Sequence, residues 1–128
     1  MNVTFPFVIT GVVTHGNHLG TGIEMPTANI VPNEDITGLK YGVYYSVLKV
    51  DGVSYKAITN LGTKPTVKSD GLINAESFIY DFEGDIYGKE ITVELLEFKR
   101  PEIRFSSFEE LSVMMHKDLE DGKNYRSV

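Results

Sequence analysis

The stretch Met25-Pro26-Thr27-Ala28-Asn29-Ile30 sets a hydroxyl and an amide two residues apart on a stiffened backbone. Pro26 fixes its own φ and biases Met25 towards an extended conformation. In an extended segment, Thr27 and Asn29 project to the same face. Two neutral oxygen ligands side by side suit a Mg²⁺ whose other positions go to water and phosphate oxygens. The same residues also suit a polar turn in which both side chains bond local backbone. These six residues alone leave both readings open. Just upstream, residues 16–24 hold Gly16, Gly20 and Gly22. Such a loop folds over a phosphate because its N–H groups are unobstructed. It matches neither GxxxxGK[ST] nor GxGxxG. His15 and His18 are spaced i, i+3 but have no third ligand near them in sequence, so they read as loop histidines rather than a zinc site.

A second candidate is Glu76 in Ala75-Glu76-Ser77-Phe78-Ile79-Tyr80-Asp81-Phe82. Period-two alternation places Glu76 on one face with Phe78, Tyr80 and Phe82. A carboxylate at the end of an aromatic face is either a solvated rim group or a partly desolvated base. On alternation alone, the rim reading is the stronger one.

The elements that must position these residues are mostly strands. Phe7 to His15 is rich in β-branched residues, and Gly11 within it signals a bulge or a close backbone approach. Gly42 to Val50 and Val53 to Asn60 form a hairpin about Asp51-Gly52. Leu61-Gly62-Thr63-Lys64-Pro65-Thr66 reads as a stiffened polar turn, and residues 67–74 as a loop. Glu90 to Lys99 is the last strand; its apolar phase moves from Ile91, Val93 and Leu95 to Leu96 and Phe98, which suggests a bulge or a change of cover. Ser107-Phe108-Glu109-Glu110 is a capping box. Phe108, Leu111, Met115 and Leu119 then form the stripe of one amphipathic helix expected to end at Gly122, and Met114 and Met115 are placed to border a ligand pocket. Five or six short antiparallel strands and a C-terminal helix indicate a mainly β chain built as a small closed barrel.

Composition bounds the function. At 128 residues, 41% hydrophobic and 23% charged, residues 1–128 are expected to form a single domain of ordinary soluble composition. No apolar run is long enough to cross a membrane, and the first residues lack the pattern of a signal peptide. The absence of cysteine excludes disulfides and thiolate metal sites and fits a cytoplasmic setting. A net charge of −6 argues against a nucleic-acid binder. It leaves room for ATP if backbone N–H groups and a metal do the local work.

Taken together, the motifs resemble the riboflavin kinase domain over nearly the whole chain. The resemblance rests on Gly11, Val13, Gly16 and Gly20, then Pro26-Thr27-Ala28-Asn29, Gly42-Val43-Tyr44 and Asn60-Leu61-Gly62-Thr63-Lys64-Pro65-Thr66. It continues through Glu76 with Asp81-Phe82, Tyr87-Gly88-Lys89, and Arg100-Pro101-Glu102-Ile103-Arg104-Phe105. It implies a six-stranded antiparallel Greek-key β-barrel with one C-terminal α-helix. It also implies transfer of the γ-phosphate of ATP to the terminal ribityl hydroxyl of riboflavin, giving FMN and ADP. By the same resemblance, Glu76 is the general base. Thr27 and Asn29 hold Mg²⁺, or another divalent metal, and the phosphates. Gly16, Gly20, Gly22, Gly62, Thr66 and Tyr87 lie on the nucleotide side; Arg100, Phe105 and Met115 lie on the flavin side. Two positions depart from the family pattern: Glu24 stands where a glycine is usual, and Phe78 where a histidine is common. Phe5-Pro6-Phe7 looks like the junction segment of a two-domain FAD synthetase, from which such a domain would be derived. Nothing in the sequence demands more than a monomer. The contrasting reading is a non-catalytic flavin- or nucleotide-binding sensor on the same barrel.

Overall fold

The computed structural model describes residues 3–14, 25–63, 73–102 and 107–125. Six strands and one helix follow in order: β1 (Phe7–Val12), β2 (Thr27–Ile30), β3 (Gly42–Val50), β4 (Val53–Thr63), β5 (Ile73–Ile79), β6 (Glu90–Pro101) and α1 (Phe108–Asn124). They form one antiparallel sheet in the order β1-β6-β3-β4-β5-β2. β6 returns beside β3 after the β3-β4-β5 meander, which is the Greek-key arrangement. The Asp51-Gly52 turn has φ of 51° and 78°, the left-handed pair that matches the twist of a two-residue hairpin.

The sheet curls until its two edge strands meet. The Thr14 N–H donates to the Asn29 carbonyl at 2.8 Å, and the Asn33 N–H donates to the Thr10 carbonyl at 2.9 Å. Glu34 completes this seam, accepting from the Thr10 N–H at 2.6 Å and from the Thr10 hydroxyl at 2.5 Å. Gly11 sits where the edges converge; a Cβ there would lie 2.9 Å from Ile30 Cβ. The β1–β6 register runs unbroken past it, so this glycine marks a close approach and not a bulge.

Register assigns every side chain to a face, because residues directly opposite one another point the same way. Ile9, Ile30, Leu48, Leu61, Ile79, Ile91, Val93 and Leu95 fill the interior, each at most 1% exposed. Three buried hydroxyls share that interior: Ser46 and Thr59 are bonded at 2.7 Å, and Thr59 and Ser77 at 2.8 Å. They satisfy one another across β3, β4 and β5, as buried polar groups must. The phase change foreseen in β6 is a bulge at Leu96, since Ser46 faces Leu95 while Tyr45 faces Glu97. A second bulge follows at Lys99, between the pairs Tyr44/Phe98 and Val43/Arg100.

Several boundaries differ from the sequence expectation. β4 runs on to Thr63, so Leu61 and Gly62 are strand residues and not a turn. β5 starts at Ile73 and ends at Ile79, with Asp81 in a left-handed turn conformation (φ 55°). Phe82 therefore leaves the aromatic face and packs edge-on against Tyr55, 5.1 Å between centroids. Ser107 caps α1 as the capping box requires, accepting from the Glu110 N–H at 3.2 Å. The helix passes through Gly122 and ends at Asn124. Gly122 serves packing instead: a Cβ there would sit 2.6 Å from two Ile58 carbons and 2.5 Å from Tyr80 Oη. Its bare backbone lets α1 lie close on the outer face of β4 and β5. The Tyr80 hydroxyl donates to the Leu119 carbonyl at 2.6 Å, and Lys56 Nζ donates to the Lys123 carbonyl at 2.9 Å.

Candidate active site

The outer face of the sheet carries a transverse row of polar side chains. Asn29 on β2 is directly opposite Glu76 on β5, and Glu76 is directly opposite Asn60 on β4. The row continues to Val43 on β3 and Arg100 on β6. At its other end, Thr14 bridges to Asn29. Adjacent strands lie about 4.8 Å apart, so Asn29, Glu76 and Asn60 occupy roughly 10 Å of the sheet surface. Thr27 is two residues from Asn29 in β2 and shares its face, as an extended segment requires. Phe78 likewise shares the face of Glu76 and lies directly opposite Thr27.

Two hollows open on either side of Glu76. The first is lined by Thr14, Thr27 and Asn29 together with Asp85 and Tyr87 of the β5–β6 connection. Asp85 shapes that connection by accepting from the Tyr87 N–H at 2.8 Å, while the exposed Tyr87 ring borders the hollow. The second hollow lies between the sheet and α1, walled by Asn60, Phe78, Arg100, Glu102, Met115 and Leu119. Glu76 itself is half-buried. Its neighbour on one side lines the first hollow, and its neighbour on the other lines the second. The Glu102 carboxylate lies over Gly62, filling the space a Cβ would need.

On its strand side the first hollow carries Thr27, Asn29 and the apolar Ile79, and no charged group. Asn29 is 2% exposed, and its Oδ1 accepts from Asn74 Nδ2 at 2.9 Å. Among the described residues, no group of three or more His, Asp or Glu side chains is placed to hold a metal. The second hollow is organised by charge. Arg100 binds Asp118 of α1 through Nε at 3.0 Å and Nη2 at 2.5 Å. Lys99 Nζ reaches the same carboxylate at 3.0 Å and Asp121 at 3.1 Å. Consecutive strand residues ordinarily point to opposite faces; the bulge at Lys99 turns both cations towards the helix. Burial works against the Lys99 charge, but its hydrogen bonds to Asp118 and Asp121 outweigh that and raise its pKa above the ordinary lysine value.

The structure thus brings Thr27, Asn29 and Tyr87 to one hollow and Arg100 and Met115 to the other, with Glu76 between them. Gly62 lies on β4 beneath Glu102 and lines neither hollow. Gly16, Gly20, Gly22, Thr66 and Phe105 lie outside the described residues, as do His15, His18 and Glu24. Sequence reasoning places Asn60 only within a family motif, with no role of its own, and passes over Asn74 and Asp118. A signal existed for Asn60: the two-residue turn at Asp51-Gly52 fixes the hairpin register and sets Asn60 opposite Val43. For Asp118, a carboxylate on α1 within reach of β6, the sequence carries no comparable signal.

A family model described as "Flavokinase: Riboflavin kinase" matches residues 3–126. The chain is 36% identical over 121 residues to the bifunctional riboflavin kinase/FMN adenylyltransferase of Listeria monocytogenes, a match covering 94% of this chain and 38% of that protein. Among solved structures, a macrolide-efflux protein from Streptococcus pneumoniae is similar with a TM-score of 0.78 and 30% identity, covering 94% of this chain and 40% of that one. Riboflavin kinase from Trypanosoma brucei shares the fold with a TM-score of 0.65 and 22% identity, covering 96% of this chain and 81% of that one. The chain spans 36% to 39% of the length of the first three curated relatives it matches. On a family match that runs almost end to end, and with the six-stranded barrel and helix that go with it, the chain belongs to the riboflavin kinase family, a family of ATP-dependent kinases.

Proposed function

We propose that this chain transfers the γ-phosphate of ATP to the ribityl 5′-hydroxyl of riboflavin, giving FMN and ADP. The observation that carries the reading is the row Asn29–Glu76–Asn60, which sets one carboxylate between two hollows of different character. In this reading the polar hollow at Thr27, Asn29 and Tyr87 takes the nucleotide. The hollow at Arg100 and Met115 takes the flavin. Glu76 accepts the proton of the ribityl hydroxyl as its oxygen bonds to the γ-phosphorus, and the bond from that phosphorus to the ADP oxygen breaks. Phosphoryl transfer asks chiefly for positioning and charge neutralisation, and a base of this kind contributes about 10²–10⁴-fold.

Thr27 and Asn29 fit a Mg²⁺ that arrives with the nucleotide. They offer two neutral oxygens on one face, and Mg²⁺ keeps its remaining positions for water and phosphate. They do not make a cage that would hold a resident metal alone. When bound, the ion would neutralise charge on the transferring phosphoryl group. Residues 1–128 are proposed to form one domain that acts as a monomer in the cytoplasm. Adenylyl transfer, named for the longer relatives, is not assigned to this chain.

The test is an FMN assay with riboflavin, ATP and Mg²⁺, run on the parent protein and on Glu76→Gln. FMN that requires ATP and vanishes with EDTA is the expected result, with turnover in the variant down about 10²–10⁴-fold and binding of both ligands kept. Near-normal turnover in Glu76→Gln removes Glu76 from the mechanism. Riboflavin quenching by the parent without any FMN makes the chain a binding module.

A further inference from the structure

The side chain of Asn29 is the one part of that residue the barrel does not fix through its backbone. Its carbonyl is committed to the seam, accepting the Thr14 N–H at 2.8 Å. The amide is held from the neighbouring strand by Asn74, which lies diagonally across β2 and β5 beside the direct partner Glu76. Asn74 sits next to Gly62, whose missing side chain leaves the place over that part of the sheet to Glu102. The contact runs from Asn74 Nδ2 to Asn29 Oδ1, and it leaves Asn74 Oδ1 as a buried acceptor with no hydrogen-bond partner among the described residues.

An amide has the same shape either way round. If both side chains turn over, Asn29 Nδ2 donates to Asn74 Oδ1 and the contact is kept. Asn74 Oδ1 then has its donor, and Asn74 Nδ2 takes the buried place beside Gly62, over which the Glu102 carboxylate lies. Asn29 Oδ1 is released from Asn74 and faces away from it. That is the atom a hard cation or its hydration shell needs, whereas an oxygen already accepting from Asn74 is a poorer ligand.

We propose that Asn74 is a positioning residue for Asn29, supplying the acceptor that turns the Asn29 amide oxygen towards a nucleotide-bound divalent cation. This rests on the proposed kinase reading. Asn74 acts through Asn29 alone and touches neither substrate. What it must provide is an acceptor, so Asp serves in its place and an isosteric apolar residue does not.

The experiment measures binding, apart from turnover. Titrate Mn²⁺ into parent protein with ADP, following the free ion by electron paramagnetic resonance, and titrate riboflavin separately by quenching of its fluorescence. In Asn74→Leu, Mn²⁺–ADP affinity falls about tenfold, equivalent to about 1.4 kcal/mol, while riboflavin affinity stays within about twofold. In Asn74→Asp, Mn²⁺–ADP affinity stays at or above that of the parent. Unchanged Mn²⁺–ADP affinity in Asn74→Leu overturns the proposal. So does an equal loss in Asn74→Asp, since the acceptor is then not what matters. Equal loss of both ligands in Asn74→Leu also overturns it, assigning Asn74 to the general packing of β5. A parent protein that makes no FMN and shows no ADP-dependent Mn²⁺ binding refutes the kinase reading itself, whatever the variants do.

Discussion

Asp118 ties the helix to the sheet through both Arg100 and Lys99, and its removal is an informative perturbation of stability. Its side chain is 5% exposed and faces two cations, Arg100 and Lys99, whose side chains are 16% and 11% exposed. Removing one partner of such a pair leaves uncompensated buried charge and costs about 3–5 kcal/mol. The value here belongs at the lower end. Lys99 keeps Asp121 at 3.1 Å, and only Arg100 loses its whole carboxylate partner. We therefore expect Asp118→Ala to lose about 3 kcal/mol. Unfolding entropy near the midpoint is about 2.1 cal/mol/K per residue, or about 0.27 kcal/mol/K for this chain, so Tm should fall by about 11 °C. Circular dichroism melts at neutral pH read this directly. The double variant Arg100→Leu with Asp118→Leu should be more stable than the two single losses added together predict, because neither charge is left stranded. A Tm within about 3 °C of the parent, or strict additivity in the double variant, refutes the view that this pair anchors α1.

Gly122→Ala should destabilise although alanine favours a helix interior by about 1 kcal/mol, since the new Cβ meets Ile58 at 2.6 Å. Overpacking of this kind costs about 1–3 kcal/mol, and a urea midpoint at or above the parent's would show that the helix lifts freely. Tyr80 predicts the alkaline limit of the fold: burial, then the charges of Asp118 and Glu120, push its pKa above the ordinary 10.0. The folded state keeps that proton where the unfolded chain gives it up, so the contribution is complete below pH 10 and is lost as pH rises beyond it. Tyr44, Tyr45 and Tyr125 are raised as well, chiefly by burial. Tyr80→Phe should lose about 1 kcal/mol at pH 8 with its hydrogen bond to Leu119, yet show a shallower fall in urea midpoint above pH 10. Equal slopes in parent and variant would remove Tyr80 from the alkaline transition.

What the sequence made legible follows from how local each signal is. The Asp51-Gly52 turn, the phase change in β6 and the Ser107 cap are each written within a few residues, and each stands in the structure. The end of β4 and the start of β5 are not legible because Gly62 and the polar residues around it carry turn chemistry, while strand pairing outweighs that preference. Gly122 looked like a helix stop because glycine is usual there; what it answers is the nearness of Ile58 and Tyr80, residues over forty positions away. Asn60, Asn74 and Asp118 belong to the same class. Each matters through a neighbour on another element, and no spacing along the chain announces that.

The row on the outer face is itself such a long-range product, and it is stiff for physical reasons. A slip of one residue in β5 would turn Glu76 into the interior, where Ala75 and Ser77 now pack. A slip of two would keep its face but carry it about 6.8 Å along the strand, out of line with Asn29 and Asn60. Both are opposed from inside the barrel. The hydroxyls of Ser46, Thr59 and Ser77 pair only in the present register of β3, β4 and β5, and a shift would strand at least one of them in an apolar core. The convergence at Gly11, with Glu34 bound to Thr10, closes the barrel where β1 meets the β2 edge, and the Thr14 bridge ends on Asn29 itself. The buried polar chain on one face of the sheet thus holds the row on the other, and the precision that the proposed phosphoryl transfer asks of Glu76 would be supplied by residues that need never touch a substrate.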